Sequence, residues 1–226
     1  MENARSYMVE TAPAVEGLFR LLNEYGWQKI QALVDLTKSK TRDDLERRKH
    51  MFSSTDVARE IIAGSILQIA YVAIERFAVL GEKSENAIRF ETEINRLLKE
   101  NPTTRWKKHE IFSLPARFCV GRDIGDLPLG VVVFAGRNQY NHFGEKRLSV
   151  LNEVVFNHLH NMWPSPFNGI SFNLYGSNRP RSYSVLSALG WTDSANGLGV
   201  VAYKQDLCNV MQIDCFSEST EESGCL

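Results

Sequence analysis

Nothing in the chain supplies an excess of charge. Lys and Arg number 26 against 27 Asp and Glu, a formal net charge of -1. A protein that grips nucleic acid by bulk charge carries a strong positive excess, so any such contact here must rest on local patches. Cysteine is scarce: four residues, at 119, 208, 215 and 225, with no CxxC or other zinc spacing. Three of the four lie near the C-terminus, so no disulfide framework is expected, and reduced thiols in a cytoplasm fit best. The opening "MENARSYMVE" lacks the apolar run of a secretory signal. The ending "SGCL" lacks the Cys four from the end that prenylation needs. The longest apolar-rich stretch, "IIAGSILQIAYVAIERFAVL", is broken by Gln68, Glu75 and Arg76, which favours a core helix over a membrane span. Of the five histidines, His158 and His160 stand two apart, on different faces of a helix, so they make no metal pair. No metal, cofactor or membrane partner is expected.

The 226 residues, 43% hydrophobic, suit one large domain or one domain with a smaller appendage. No internal repeat is evident. Leu18, Leu21, Leu22, Tyr25, Ile30, Leu33, Val34 and Leu36 recur at helical spacing over 13–37, with Gly26 as the candidate interruption. The stretch 39–51 is charged on most sides and is expected as a short exposed helix or a linker. The strongest helix is expected from Ser54 to Leu80. Ser54 or Thr55 would cap it, Asp56 would face the positive end of its dipole, and Gly64 and Ser65 suggest a close helix crossing. A second amphipathic helix covers 83–99 and stops at "NP". In "DLPLGVVVFAGRNQYNHF" the valines favour a strand, but Asp126 and Pro128 favour a helix start, and a helix is expected. A further helix is expected over 145–161.

After "WPSP" the pattern changes. "GISFNLYG" alternates as a strand does, "RSYSVLSALGW" suits a short helix, and "GLGVVAYK" suits another strand. The expected organisation is therefore a mainly α fold: a helical bundle over 1–162, a small C-terminal α+β appendage over 163–210, and a flexible tail over 211–226.

The stretch "GRNQYNHF", 136–143, places Arg, two Asn, Tyr and His directly after an apolar run. His titrates near neutrality and can take a proton from a hydroxyl or give one to a leaving oxygen. Arg holds two phosphate oxygens as negative charge builds. With no metal to make hydroxide, the convenient nucleophile is the 2′-OH of RNA. In a straight helix Arg137 and His142 diverge by about 140°. Either the helix bends there, Gly136 and Gly144 making distortion cheap, or two copies of the segment meet across a dimer axis. The competing reading is a helix end whose His and Asn satisfy free backbone groups.

The pattern Arg–Asn–three residues–His, "RNQYNH", resembles the motif of HEPN-superfamily ribonucleases, the match covering the helices from about 54 to 161. The resemblance implies a HEPN-like helical bundle and metal-independent endoribonuclease activity in a homodimer. Arg137 and His142 would be the active pair, with Asn138 the polar residue after the Arg. Many members of that family serve in toxin–antitoxin or anti-phage systems, which implies an antitoxin or defence partner protein. A branch neutralised by nucleotidylation carries a Tyr two residues after the His, where this chain has Gly144.

Around the catalytic set, Asn141 and the basic residues Arg47, Arg48, Lys49, Lys107 and Lys108 are candidates for holding RNA. Solvated surface is the plain alternative for both basic clusters. "GSNRPRS", 176–182, ends at a helix start and could hold an anion with Arg179 or Arg181; a capped loop is the alternative. The alternative function for the whole chain is a non-catalytic helical module that binds RNA or a partner protein. The intact Arg and His favour catalysis.

Overall fold

A computed structural model describes residues 3–100, 113–144, 149–163, 171–174, 179–192 and 197–214. Helix α1 spans Ala4–Leu36 and runs through Pro13, Gly17 and Gly26 without a break; Asn3 caps it by accepting from Ser6 N at 2.8 Å. Helix α2 spans Arg42–Phe77. The charged stretch 39–51 is thus no separate element: most of it is the first three turns of α2. The cap is Thr41, accepting from Asp44 N at 3.2 Å, and not Ser54 or Thr55. Those two hydroxyls donate back to Met51 O and Phe52 O inside the helix. Ion pairs three or four residues apart, Arg47 and Arg48 to Asp44 and Lys49 to Glu46, support a solvated helix that has no apolar stripe to announce it.

Helices α1 and α2 form an antiparallel hairpin. Tyr7 packs on Phe77 with ring centroids 5.4 Å apart and donates to Ile69 O, while Lys29 pairs with Asp56 near the other end. The middle of α2 is the centre of the molecule. Ala63, Ile66, Leu67, Ala70, Ala73 and Ile74 are fully buried and meet α1 and the helices that follow. By length and composition α2 could cross a membrane, but half of its most apolar window is buried in this fold.

Helix α3 spans Glu85–Glu100. A 3-10 turn at Ala116–Phe118 leads to a two-strand hairpin, β1 Asp123–Ile124 and β2 Leu127–Pro128, antiparallel with Ile124 opposite Leu127. Helix α4, Leu129–His142, begins at the valine run as expected. Its first N–H groups are satisfied by the loop carbonyls of Arg122 and Val120, at 2.9 and 3.1 Å, and not by a side-chain cap. Gly130 is required there: a Cβ would lie 2.5 Å from Phe118 O, a backbone atom that cannot swing aside. Helix α5 is Val150–Met162, capped by Ser149.

The C-terminal part differs from expectation. Helix α6, Ser182–Ala188, is the expected short helix. "GLGVVAYK" is not a strand: it opens helix α7, Leu198–Met211, which also includes the first residue assigned to a tail. Residues 171–174, at the centre of the other expected strand, are not in a strand. Among the described residues the only strands are β1 and β2, so the fold is mainly α here too. Leu186, Leu189, Trp191, Tyr203, Leu207 and Met211 join the same hydrophobic core as α2 and α4. Asp206, buried on α7, binds this part to the rest. Its carboxylate accepts from Nε and Nη2 of Arg122 at 2.9 and 3.0 Å and from the indole N–H of Trp191 at 2.8 Å. Cys208 is disulfide-bonded, against the expectation of reduced thiols, and Cys119 is a free buried thiol.

Candidate functional site

The "GRNQYNHF" stretch is the C-terminal half of α4, and the seam with α2 sets where each side chain goes. Aromatic and polar pairs descend that seam in antiparallel register. Phe134 lies 5.9 Å from Tyr71, the Arg137 Nε donates to Gln68 Oε1 at 3.0 Å, and the Tyr140 ring lies over Gly64. A Cβ at Gly64 would come within 2.3 Å of that ring, so the expected close crossing is real and glycine makes it. Replacing Gly64 by Val should expel the Tyr140 ring and lower stability by about 1–3 kcal/mol. Urea denaturation checks this; an unchanged midpoint would show that the crossing relaxes without cost.

Arg137 is held from both helices. Its guanidinium carbon sits 4.5 Å over the Tyr71 ring, Nη1 donates to Asn138 Oδ1 at 3.2 Å, and Asn141, with its amide oxygen turned inward, accepts at 3.0 Å. Tyr71 is itself stacked on Phe118 at 5.0 Å. The guanidinium plane is therefore fixed, half-buried, between α2 and α4.

His142 ends the helix and is exposed. Because α4 is unbroken from Leu129 to His142, the bend allowed by Gly136 does not occur. That glycine serves close packing instead: a Cβ would stand 2.8 Å from Val185 and 3.1 Å from Leu67. Arg137 and His142 therefore stay on different faces, about 140° apart and roughly 7.5 Å apart along the axis. Within one chain, Arg137, Asn138 and Asn141 come together, and His142 shares a face with Asn138, four residues before it, while diverging from Arg137.

Gln139, buried between them in sequence, has a structural task. It accepts from Arg181 N at 2.8 Å and donates to Arg179 O at 3.5 Å, fastening the approach to α6. In the part of "GSNRPRS" that is described, 179–182, the Arg181 N–H is already taken, as is the N–H of Tyr183 just beyond it. Gln139 takes the first, and Glu60 of α2 accepts from Tyr183 N at 3.0 Å. Around Glu60, Arg59 lies 3.6 Å over the Tyr183 ring and pairs loosely with Asp56, Arg181 donates to Asn173 O, and Arg179 donates to Ser53 Oγ at 2.8 Å.

Burial pushes the Glu60 carboxyl up from its ordinary value to about 7, against the pull of the Tyr183 N–H and of Arg181. A raised carboxylate pKa means that the folded state binds more protons than the unfolded state between the two values. This contribution to stability is full below about pH 4.5 and is lost as pH rises through about 7. Glu60→Gln keeps the acceptor for Tyr183 and removes the buried charge. It should match the wild type at pH 4 and exceed it at pH 8 by at most about 3 kcal/mol, from ~1.4 kcal/mol per pKa unit. Urea melts at both pH values check this, and parallel pH profiles would contradict it.

The basic stretch at 47–50 is not drawn to the motif. Arg47 and Arg48 share Asp44 at 2.8 Å each, Arg48 also donates to Asp35 O, and Lys49 pairs with Glu46 at 2.9 Å. The hydrogen bond from Arg48, then that from Arg47, holds the Asp44 carboxyl below its ordinary range. With Ala32, Asp35 and Met51, the two arginines line a shallow groove between α1 and α2. Arg48 stands twenty residues before Gln68, roughly 30 Å along α2. Lys107 and Lys108 lie outside the described residues. Among the described residues no three His, Cys, Asp or Glu gather as a metal-ligand set. No family model matches the chain, and no curated protein or solved structure matches it either.

Proposed function

We propose that the protein is an endoribonuclease that cuts single-stranded RNA without a metal ion, its active pair completed across a two-fold axis by a second copy. One observation carries the reading: an unbroken helix holds a guanidinium clamped in a fixed plane and an exposed imidazole about one and a half turns further on. A clamped guanidinium costs no reorganisation when charge develops on a phosphate.

In this mechanism a neutral His142 takes the proton of a 2′-OH. The 2′ oxygen attacks phosphorus, the bond to the 5′ oxygen breaks, and an imidazolium returns a proton to that leaving oxygen. Arg137 faces the oxygens whose charge increases, with Asn138 and Asn141 keeping it aimed. The products are a 2′,3′-cyclic phosphate and a 5′-hydroxyl. Since the Arg137 and His142 of one helix diverge, the Arg and His that serve one phosphate come from different copies. A neutralising or defence partner protein and a cytoplasmic setting belong to the same proposal. The test is labelled single-stranded RNA with and without EDTA. Equal cleavage in both, with cyclic phosphate ends, is expected; equal cleavage of DNA or a requirement for added Mg²⁺ would contradict it.

One observation favours a second reading. The contacts from Arg137 to Gln68 and Tyr71 also serve as a tie between α2 and α4. A non-catalytic helical module that binds RNA or protein would need that tie as much as an enzyme would. RNA bound by the pure protein and recovered intact favours the module.

A further inference from the structure

The apolar run of α2 from Ile62 to Ile74 carries Gln68 at the point where Arg137 of α4 meets it. Gln68, Tyr71 and Glu75 recur at steps of three and four, so they share one face of α2. A guanidinium has five N–H groups to place. The Asn141 amide oxygen accepts from Nε at 3.0 Å and from Nη2 at 3.3 Å, and the Gln68 Oε1 accepts from Nε at 3.0 Å, so the two fill the edge of Arg137 that Nε and Nη2 share. Asn138 accepts from Nη1 at 3.2 Å. One N–H on each terminal nitrogen is left. Every oxygen in this set is a neutral amide oxygen, and the remaining contact is the Tyr71 ring. Among the described residues no carboxylate pairs with Arg137; the Glu75 carboxylate, on the same face of α2, accepts from the Tyr71 hydroxyl at 3.0 Å. Arg122, which also joins two parts of the fold, does so on the carboxylate of Asp206 at 2.9 Å.

We propose that Gln68 is a positioning residue of the cleavage reaction: it fixes the Nε edge of Arg137 without cancelling its charge, so that the terminal nitrogens alone meet the phosphate. The inference rests on the RNA reading above and adds a residue of α2 to it. The choice of an amide over a carboxylate decides the matter. A glutamate at this position has the same shape and makes a charge-assisted hydrogen bond, roughly twice as strong as the neutral one. A tie between α2 and α4 is therefore better made by a glutamate. A phosphate site is not, because a carboxylate against Nε satisfies the positive charge before the substrate arrives. Less of that charge is then left for the transition state, where the phosphate oxygens are most negative. Gln68 holds the plane and leaves the charge. The surroundings agree. Gly136 packs on Val185 of α6, whereas Asn138 and Asn141 lie on the other flank of Arg137, and Asn141 is exposed. The strand meets the terminal nitrogens from that flank.

The test measures initial rates against the concentration of labelled single-stranded RNA, beside thermal melts, for the full-length wild type, Gln68→Glu and Gln68→Met. Assays run well below every melting transition. Gln68→Glu should melt no earlier than the wild type, because the tie is strengthened. Its kcat should nevertheless fall about a hundredfold, with KM changed by less than about threefold. Gln68→Met keeps the bulk and removes the oxygen. It leaves the charge of Arg137 and loosens its plane, so it should melt earlier than the wild type and lose roughly tenfold in kcat. The more stable variant is thus expected to be the slower one, whereas a purely structural Gln68 makes activity follow melting temperature. If Gln68→Glu cleaves at the wild-type rate, or if rate follows melting temperature across the variants, Gln68 is a tie alone; the proposal is overturned and the RNA reading stands. Gln68→Met by itself overturns the proposal if its kcat equals that of the wild type. If the wild type leaves RNA intact, the RNA reading fails and the positioning role fails with it.

Discussion

His142→Ala should lower RNA cleavage by about 10²–10⁴-fold, the span associated with a positioned acid–base group. It should do so with little loss of stability, since His142 is an exposed residue at the end of α4. Arg137→Ala should lower turnover by about 10²–10³-fold, because its charge matters most where the transition state is most negative. This variant should also melt earlier, because it leaves Gln68, Asn138 and the Tyr71 face without their partner. Arg137→Lys separates the two roles. A Lys keeps a cation over Tyr71 but not the planar fork, so stability should recover more than rate. Initial rates on labelled RNA, read beside thermal melts of each variant, check all three. Unchanged rates in both alanine variants would return the segment to the role of a helix end and an α2–α4 tie.

Asp206→Ala should cost about 3–5 kcal/mol of folding stability, the range for removing one partner of a buried ion pair. The carboxylate is nearly buried and accepts three hydrogen bonds, two from Arg122 and one from the Trp191 indole. Its loss leaves the indole N–H, on a fully buried side chain, without an acceptor, while Arg122, about half exposed, regains some water. The low end of the range is therefore expected. Asp206→Asn, which keeps one acceptor oxygen, should cost less. The effect should reach α4, because the Arg122 carbonyl receives the first N–H of that helix. Chemical denaturation measures the loss; a change under ~1 kcal/mol would show that α7 and the α4 entrance are held by packing alone.

Periodicity made the central helices legible. The stripe through Ile62, Ile66 and Ala73, the amphipathic run at 83–99 and the helix through the valines correspond to α2, α3 and α4, although Leu127 and Pro128 lie in β2 and Asp126 does not cap α4. Two kinds of element were not legible. The first turns of α2 lack an apolar stripe, because ion pairs along the helix and contacts with α1 stabilise them. Helix α7 begins with "GLGVVAYK", and eight residues rich in valine favour a strand by propensity. Only the longer run, with Tyr203, Leu207 and Met211 at steps of four, reveals the helical period.

The candidate site divides in the same way. The spacing in "RNQYNH" gave the divergence of Arg137 and His142, and α4 keeps it. That Gln68 and Tyr71 hold Arg137, that Gln139 faces inward, and that Glu60 occupies the start of α6 depend on contacts between residues 40 to 123 positions apart. A local pattern holds no signal for such pairs.

Mixing two inactive proteins tests the shared site most directly. Chains carrying His142→Ala and chains carrying Arg137→Ala, each inactive alone, are combined at micromolar concentration and assayed on labelled RNA. A mixed dimer restores one site with an intact Arg137 and an intact His142 from different copies. The expected result is recovery of part of the wild-type rate, up to about half of the mixed dimers' share, with 2′,3′-cyclic phosphate ends. A mixture as inactive as its components, beside a wild-type monomer that cleaves RNA normally, would contradict the account.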